Sequence, residues 1–262
     1  MHLKDVRGVD CAADAGIAAI RDAGSRENAE RGTPVYTDAQ GAVAVISSGW
    51  ALFKKGGYGS AFGIPLERRE DFHEEILRLK SAGAGTIKVI ASGMVSLKKR
   101  ASITPGGFDQ DDLFALVQEA RNLGLAVMAH ANGEQAIIAC AEAGVRSVEH
   151  GFFMTNRALD VMAKQGAFWT PTVGALARAA DVAKISIEIK AHINDLIRSH
   201  LEMIGRAHAI GVSLAIGTDC VLPDLRYREI YDAELAYFAE AGLSPEAVQK
   251  IACEDGARLL GI

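Results

Sequence analysis

Residues 86–93, TIKVIASG, set a lysine inside a run of β-branched and aliphatic residues that ends on a serine and a glycine. A run of that length bounded by turn residues reads as a buried strand, and Lys88 is the residue in it whose burial is costly. Three further runs follow, LAVMAHANG (125–133), VRSVEHG (145–151) and VSLAIGTD (212–219). In each of them a residue able to bind a metal, His130, His150 or Asp219, stands at the C-terminal end, just before loop residues. In a parallel β/α barrel those ends converge on one face, so residues far apart in the chain can share one site.

Outward from these runs, strand and helix patterns alternate along the chain. GIAAIR (16–21) and AVAVIS (42–47) read as earlier strands and AFWTPTV (167–173) as a later one. Strands near residues 18, 44, 88, 128, 148, 169 and 215 make seven, where a closed barrel has eight, so a strand is expected to be missing at the N-terminus. The intervening patterns predict helices over about 68–82, with Phe72, Ile76 and Leu79 on one stripe, 109–123, 134–143, 156–165 and 181–210. Asp109 reads as an N-cap and Gly124 as a C-terminal stop. Two or three helices are expected in 228–262, with Ser244 as N-cap and Pro245 in the first turn. The stretch SSGWALFKKGGYGSAFG (47–63) reads as a glycine-rich loop, either a wall at the active face or a surface loop that packs its aromatics.

Composition narrows the function. A length of 262 residues suits one barrel domain over 1–262, and 49% hydrophobic residues suffice for one large core. The net charge of -5 leaves no basic patch, so nucleic acid is not an expected partner. No run of 18 apolar residues exists and MHLKDVRGVD has no hydrophobic core, so neither a membrane span nor a signal peptide is expected. Cys11, Cys140, Cys220 and Cys253 are far apart and read as reduced thiols of a cytoplasmic protein. Cys220 follows Asp219 directly and reads as a buried small residue rather than a ligand or nucleophile. His73, His192, His200 and His208 lie in helical stretches and are assigned to surfaces. Lys54, Lys55, Lys98, Lys99 and Arg100 bias two of the loops positively, which would attract a carboxylate-bearing substrate or be plain solvated charge.

The ordered set GIAAIRDAGS, TIKVIASG, VMAHANGEQAI, VEHGFFM, FWTPTV, VSLAIGTD and EDGARLLGI resembles the amidohydrolase superfamily, within it the imidazolonepropionase-like and prolidase-like branch. The resemblance implies an α/β fold, a TIM-type (β/α)8 barrel, with the first strand and an accessory β-sandwich unaccounted for in this chain. It implies a metal site of Lys88 as a carboxylated lysine, His130, His150 and Asp219. His2, in MHLKD, looks like the tail of an H-x-H pair whose first histidine is not in the sequence. A late start codon, a cut and a true loss stay open as explanations. Relatives often carry a histidine where this chain has Tyr58, a candidate substrate-binding residue.

The chemistry that such residues serve is definite. Imidazoles and carboxylates suit a divalent metal, foremost Zn²⁺, which lowers the pKa of water to about 7. Asp219 would act as the general base and then the general acid. By analogy one ion takes Lys88, His130 and His150, a set that is complete here, whereas a second ion needs both H-x-H histidines, so one ion and an impaired second position are expected. The implied activity is hydrolysis of C–N bonds in a small amide, cyclic amide, N-acyl or peptidyl substrate. Two other classes remain open: a Schiff-base lyase acting through Lys88, and a non-catalytic remnant. The open barrel edge between the second and eighth strands leads us to expect a homo-oligomer or a disordered N-terminal segment.

Overall fold

The computed structural model describes residues 2–3, 6–24, 43–97, 102–180, 185–222 and 226–262. Its strands run parallel and follow one another round a TIM-type barrel. The longest ladder holds six strands in the order β5 (Gly63–Leu66), β4 (Ala51–Lys54), β6 (Thr86–Ile90), β7 (Ala126–Ala131), β8 (Ser147–His150) and β9 (Phe168–Thr170). A second ladder pairs β2 (Ala19–Asp22) with β3 (Ala44–Ser47), and a third pairs β1 (His2–Leu3) with β10 (Val221–Leu222).

Single contacts join these ladders. Gly85 N donates to Ser47 O at 2.9 Å, linking β3 to the start of β6. Trp169 N donates to Ser213 O at 2.8 Å and Ala215 N donates to Trp169 O at 2.9 Å, which lays the 213–215 segment beside β9. Leu3 N donates to the Asp22 carboxylate at 2.9 Å, tying β1 to β2. The same buried carboxylate accepts from Ser47 Oγ at 2.7 Å and from Gly24 N at 3.2 Å, so Asp22 holds three segments together.

The strand expected to be missing is therefore present as a stub. Two residues beside the charged Lys4 and Asp5 carry no period that a pattern search could register. Between β2 and residues 215–218 lies a cavity of about 360 Å³ lined by Ile17, Ile20, Ala215, Gly217 and Leu260 among others. An accessory sandwich has no counterpart among the described residues, whose only antiparallel pairing outside the strands is the bridge between Val95 and Ile103.

Helices alternate with the strands: α1 (Val6–Asp14), α2 (Glu70–Ser81), α3 (Gln110–Asn122), α4 (Glu134–Ala143), α5 (Asn156–Gln165), α6 (Val173–Ala180), α7 (Ile187–Ala209), α8 (Tyr227–Glu240), α9 (Pro245–Lys250) and α10 (Gly256–Leu260). Their starts follow the sequence signals. The Asp109 side chain accepts from Asp112 N at 2.8 Å and Ser244 Oγ accepts from Ala247 N at 3.2 Å. Each such cap satisfies an N–H that the helix itself leaves orphaned. Phe72, Ile76 and Leu79 are buried on α2 as the stripe requires.

Two sequence expectations are corrected here. The 47–63 stretch contains β4 and ends on Gly63, the first residue of β5, the two strands being joined by turns in which Gly56 and Gly59 take positive φ. Ala51, Leu52 and Phe53 are buried, and a Cβ at Gly63 would meet Ala51 O at 2.6 Å, so the glycine permits the two strands to approach. In addition, only 168–170 of the AFWTPTV run is strand, and Val173 begins α6.

Candidate metal centre

Strand periodicity places the polar residues. On β6, Ile87 and Val89 pack outward into the main core, leaving Lys88 on the opposite side, toward the barrel axis. On β7 the outward residues are Val127, Ala129 and Ala131, so Met128 and His130 face inward; on β8, Val148 faces out and Ser147 and Glu149 face in. Register sets Lys88 opposite Met128 and Ile90 opposite His130. His150 and Asp219 then turn into the site through left-handed backbone, at φ 65° and 46°.

The predicted residues converge. His130 and His150 lie edge to face with ring centroids 4.7 Å apart, and Tyr58 sits 5.3 Å from His130. His130 Nε2 lies 3.1 Å from Gly93 O and 3.2 Å from Asn132 Nδ2. His150 Nδ1 lies 2.8 Å from Thr172 Oγ1, whose own backbone is left-handed at φ 55°. Its ring lies parallel to Phe152, with centroids 6.3 Å apart. His2 reaches Gly24 O through Nδ1 and stands 3.6 Å from the Asp219 carboxylate through Nε2. Lys88 is buried and makes no hydrogen bond or ion pair among the described residues. Lys98, Lys99 and Arg100 lie outside the described residues, while Lys54 bonds Asp112 at 2.5 Å and Lys55 bonds Glu67 at 2.7 Å.

Electrostatics follow from burial among like and unlike charges. Burial lowers the Lys88 ammonium below the usual lysine range, against the attraction of Glu149 and Asp219. Burial also takes the His130 imidazole well below its ordinary value, helped by His150 and Lys88, and brings His150 down to about 4. Burial pushes the Asp219 carboxyl up, yet His150, His2 and Lys88 overcome that and hold it below the usual carboxylate range. At neutral pH the set thus offers neutral imidazoles and an ionised carboxylate, which are the forms a divalent metal takes.

Among the described residues no three His, Cys, Asp or Glu side chains already form a metal-binding group. The imidazoles of His130 and His150 make one pair and His2 with Asp219 another, and the charge of Lys88 is felt in both pairs. Imidazoles and a carboxylate of this kind fit a divalent ion in chemistry.

Several participants are not legible in the sequence. Arg21 donates to Glu149 at 2.7 Å and to Ser147 Oγ at 2.8 Å, forming a buried ion pair whose two members both act on Lys88. Burial raises the Glu149 carboxyl, and Arg21 and Lys88 outweigh it, leaving the group lowered. Thr172 and Asn132, which contact His150 and His130, sit in loops with no distinguishing pattern.

His192 and His200 are corrected from surface to core. They are 5% and 3% exposed, and His200 lies against Trp169 and Phe152 with Nε2 3.1 Å from Pro171 O. A spacing of eight residues returns to the same face of a helix, here the inner face of α7 with Ile193, Leu201 and Ile204. His73 and His208 are exposed as expected.

A pH effect follows. Burial lowers His200 to about 4, as it does His150, so below about 6.5 the unfolded chain binds protons that the folded chain refuses. Stability from these groups is complete above that pH and is lost as pH falls toward 4. In metal-free protein, His200→Phe is expected to remove about 2–3 kcal/mol of the loss between pH 7 and 4.5. Urea midpoints at the two pH values measure it, and an unchanged difference would assign the loss to other groups.

Residues 7–262 match the sequence profile of the amidohydrolase family. An uncharacterized protein of Mycobacterium tuberculosis is 26% identical over 95% of this chain and 65% of its own length. Ochratoxinase of Aspergillus niger is 28% identical over 67% of this chain and 42% of its own length. Among solved structures, an amidohydrolase is 27% identical with a TM-score of 0.77, covering 98% of this chain and 66% of that one. A Xaa-Pro dipeptidase with methionine in its active site has a TM-score of 0.76 at 22% identity, covering 98% and 67%, and supports the fold. The chain spans about two thirds of the length of such relatives. Among the described residues no helix is long and apolar enough to cross a membrane.

Proposed function

The chain belongs to the amidohydrolase family, and from that premise we propose that it is a metal-dependent hydrolase of C–N bonds in small amide, cyclic amide, N-acyl or peptidyl substrates. One observation carries the proposal: Lys88 on β6, His130 on β7, His150 at the end of β8 and Asp219 in the loop after residue 215 lie round one site, with the two imidazole centroids 4.7 Å apart and the Asp219 carboxylate 3.6 Å from His2.

His130, His150 and Lys88 would hold one divalent ion, with Zn²⁺ the first choice for imidazole and carboxylate donors, and Asp219 with His2 would border it. Such an ion, when bound, polarises a carbonyl and acidifies water. Lys88 enters the donor set by carbamate formation. Its neutral amine attacks carbon dioxide, the new N–C bond replaces an N–H bond, and the proton leaves to solvent. The lowered amine favours this step because only the uncharged form has the lone pair.

Asp219 would then take a proton from the attacking water and deliver it to the leaving nitrogen, a task for which its ionised state is the correct starting form. Tyr58, beside His130 and Phe62, would contact the substrate. A Schiff base on Lys88 would use the same neutral amine but would give the two histidines and Asp219 no task.

The test is metal content per chain by elemental analysis of protein purified without a histidine tag, followed by hydrolysis assays. About one divalent ion per chain is expected, with turnover of at least one member of a panel of N-acyl amino acids, Xaa-Pro dipeptides and ochratoxin. Protein that contains no metal and takes up none on zinc addition would overturn the proposal.

A further inference from the structure

Glu234 lies on α8, on the outer ring of helices, and is 0% exposed. Its two carboxylate oxygens accept from successive backbone donors, Val173 N at 2.9 Å and Gly174 N at 2.8 Å. Those donors open α6 and follow directly on Thr172, the residue bonded to His150. Further along α6, Arg178 donates to Thr218 O at 2.8 Å, the carbonyl adjoining Asp219. A Cβ on Gly174 would come within 3.1 Å of both Arg178 Nη1 and Glu234 Oε2, so the two side chains close over the start of α6 where only a glycine fits easily.

We propose that Glu234 and Arg178 are positioning residues that, through α6, fix His150 and Asp219 in their strained conformations. The inference rests on the hydrolase reading for its purpose but not for its geometry. One chain of contacts runs from Glu234 to Val173, through Thr172 to the His150 ring. The other runs from Arg178 to Thr218 and so to Asp219. Both groups sit at left-handed backbone, which non-glycine residues hold only when their surroundings dictate it. Glu234 and Arg178 supply that constraint from outside the site. Neither touches the reacting atoms.

A helix-capping role alone would stabilise the fold without reaching the imidazole, and the two roles separate in experiment. Glu234→Gln presents an NH₂ group to a backbone N–H and so keeps at most one of the two bonds. Arg178→Met cuts the link to Thr218, and Arg178→Lys keeps a cation able to reach toward it. In metal-free protein labelled with 15N-histidine, the His150 ring resonances are expected to shift or broaden in Glu234→Gln, with those of His73 and His208 unchanged. Binding of Co²⁺ alone, measured by chelator competition, is expected to weaken about 10–100-fold in Glu234→Gln and Arg178→Met, and Arg178→Lys to recover part of it. If Glu234→Gln fails to fold, Arg178→Met carries the test alone. Unaltered His150 resonances and Co²⁺ affinity within twofold of wild type, alongside a lowered unfolding midpoint, would overturn the proposal and leave a capping role. Wild-type protein that binds no Co²⁺ would overturn the hydrolase reading instead, and the imidazole resonances would still decide the positioning.

Discussion

Lys88→Met is expected to give a metal-free protein more stable than the wild type by about 1–3 kcal/mol, and one that neither retains metal nor hydrolyses amides. The sign follows from where the lysine sits. Its ammonium is buried on the barrel axis with no hydrogen-bond partner among the described residues, and the nearby Glu149 is already satisfied by Arg21 at 2.7 Å and by Ser147. Methionine fills a similar volume without a charge to desolvate. Urea titration in the presence of chelator and elemental analysis of the purified variant measure the two halves. A variant less stable than wild type that keeps its metal would show Lys88 to be a structural counter-ion of Glu149.

Asp219→Asn is expected to lower kcat about 10²–10⁴-fold with a smaller change in KM. Asparagine has the shape of aspartate and tolerates the left-handed backbone at φ 46° about as well, so the fold should persist. What it lacks is a carboxylate able to accept a proton, here one that His150, His2 and Lys88 keep ionised against burial. Steady-state kinetics on whichever panel substrate turns over, beside the variant's metal content, provide the check. Activity within tenfold of wild type at full metal occupancy would assign the proton transfer to another group.

The sequence shows the barrel and its converging strand ends clearly, and shows its supporting charges poorly. Lys88 stands out because a charge in a run of buried aliphatics is costly, and His130, His150 and Asp219 because each closes such a run. Arg21 and Glu149 escape notice because isolated charges in Ile20-Arg21-Asp22 and Val148-Glu149-His150 mimic the alternation of a strand with one wet face. Only the closed ring turns that face inward and pairs them. His200 is missed for a different reason. Histidine is polar in composition, and only its helical phase with Leu201 and Ile204 shows that it belongs to the core. The stub β1 is too short to carry a period, and its place comes from tertiary contacts alone, the Asp22 carboxylate and the partner β10.

Three of the four described non-glycine residues with positive φ, His150, Thr172 and Asp219, belong to or support the site. Each such residue costs on the order of 1–3 kcal/mol, the β-branched Thr172 most plainly. In terms of mutational drift, this makes the site the least durable part of the chain. A lineage released from selection would find downhill substitutions at all three positions, glycine or asparagine foremost, each gaining stability as function was shed. Laboratory drift without an activity screen should therefore erode these three positions before the surrounding strands.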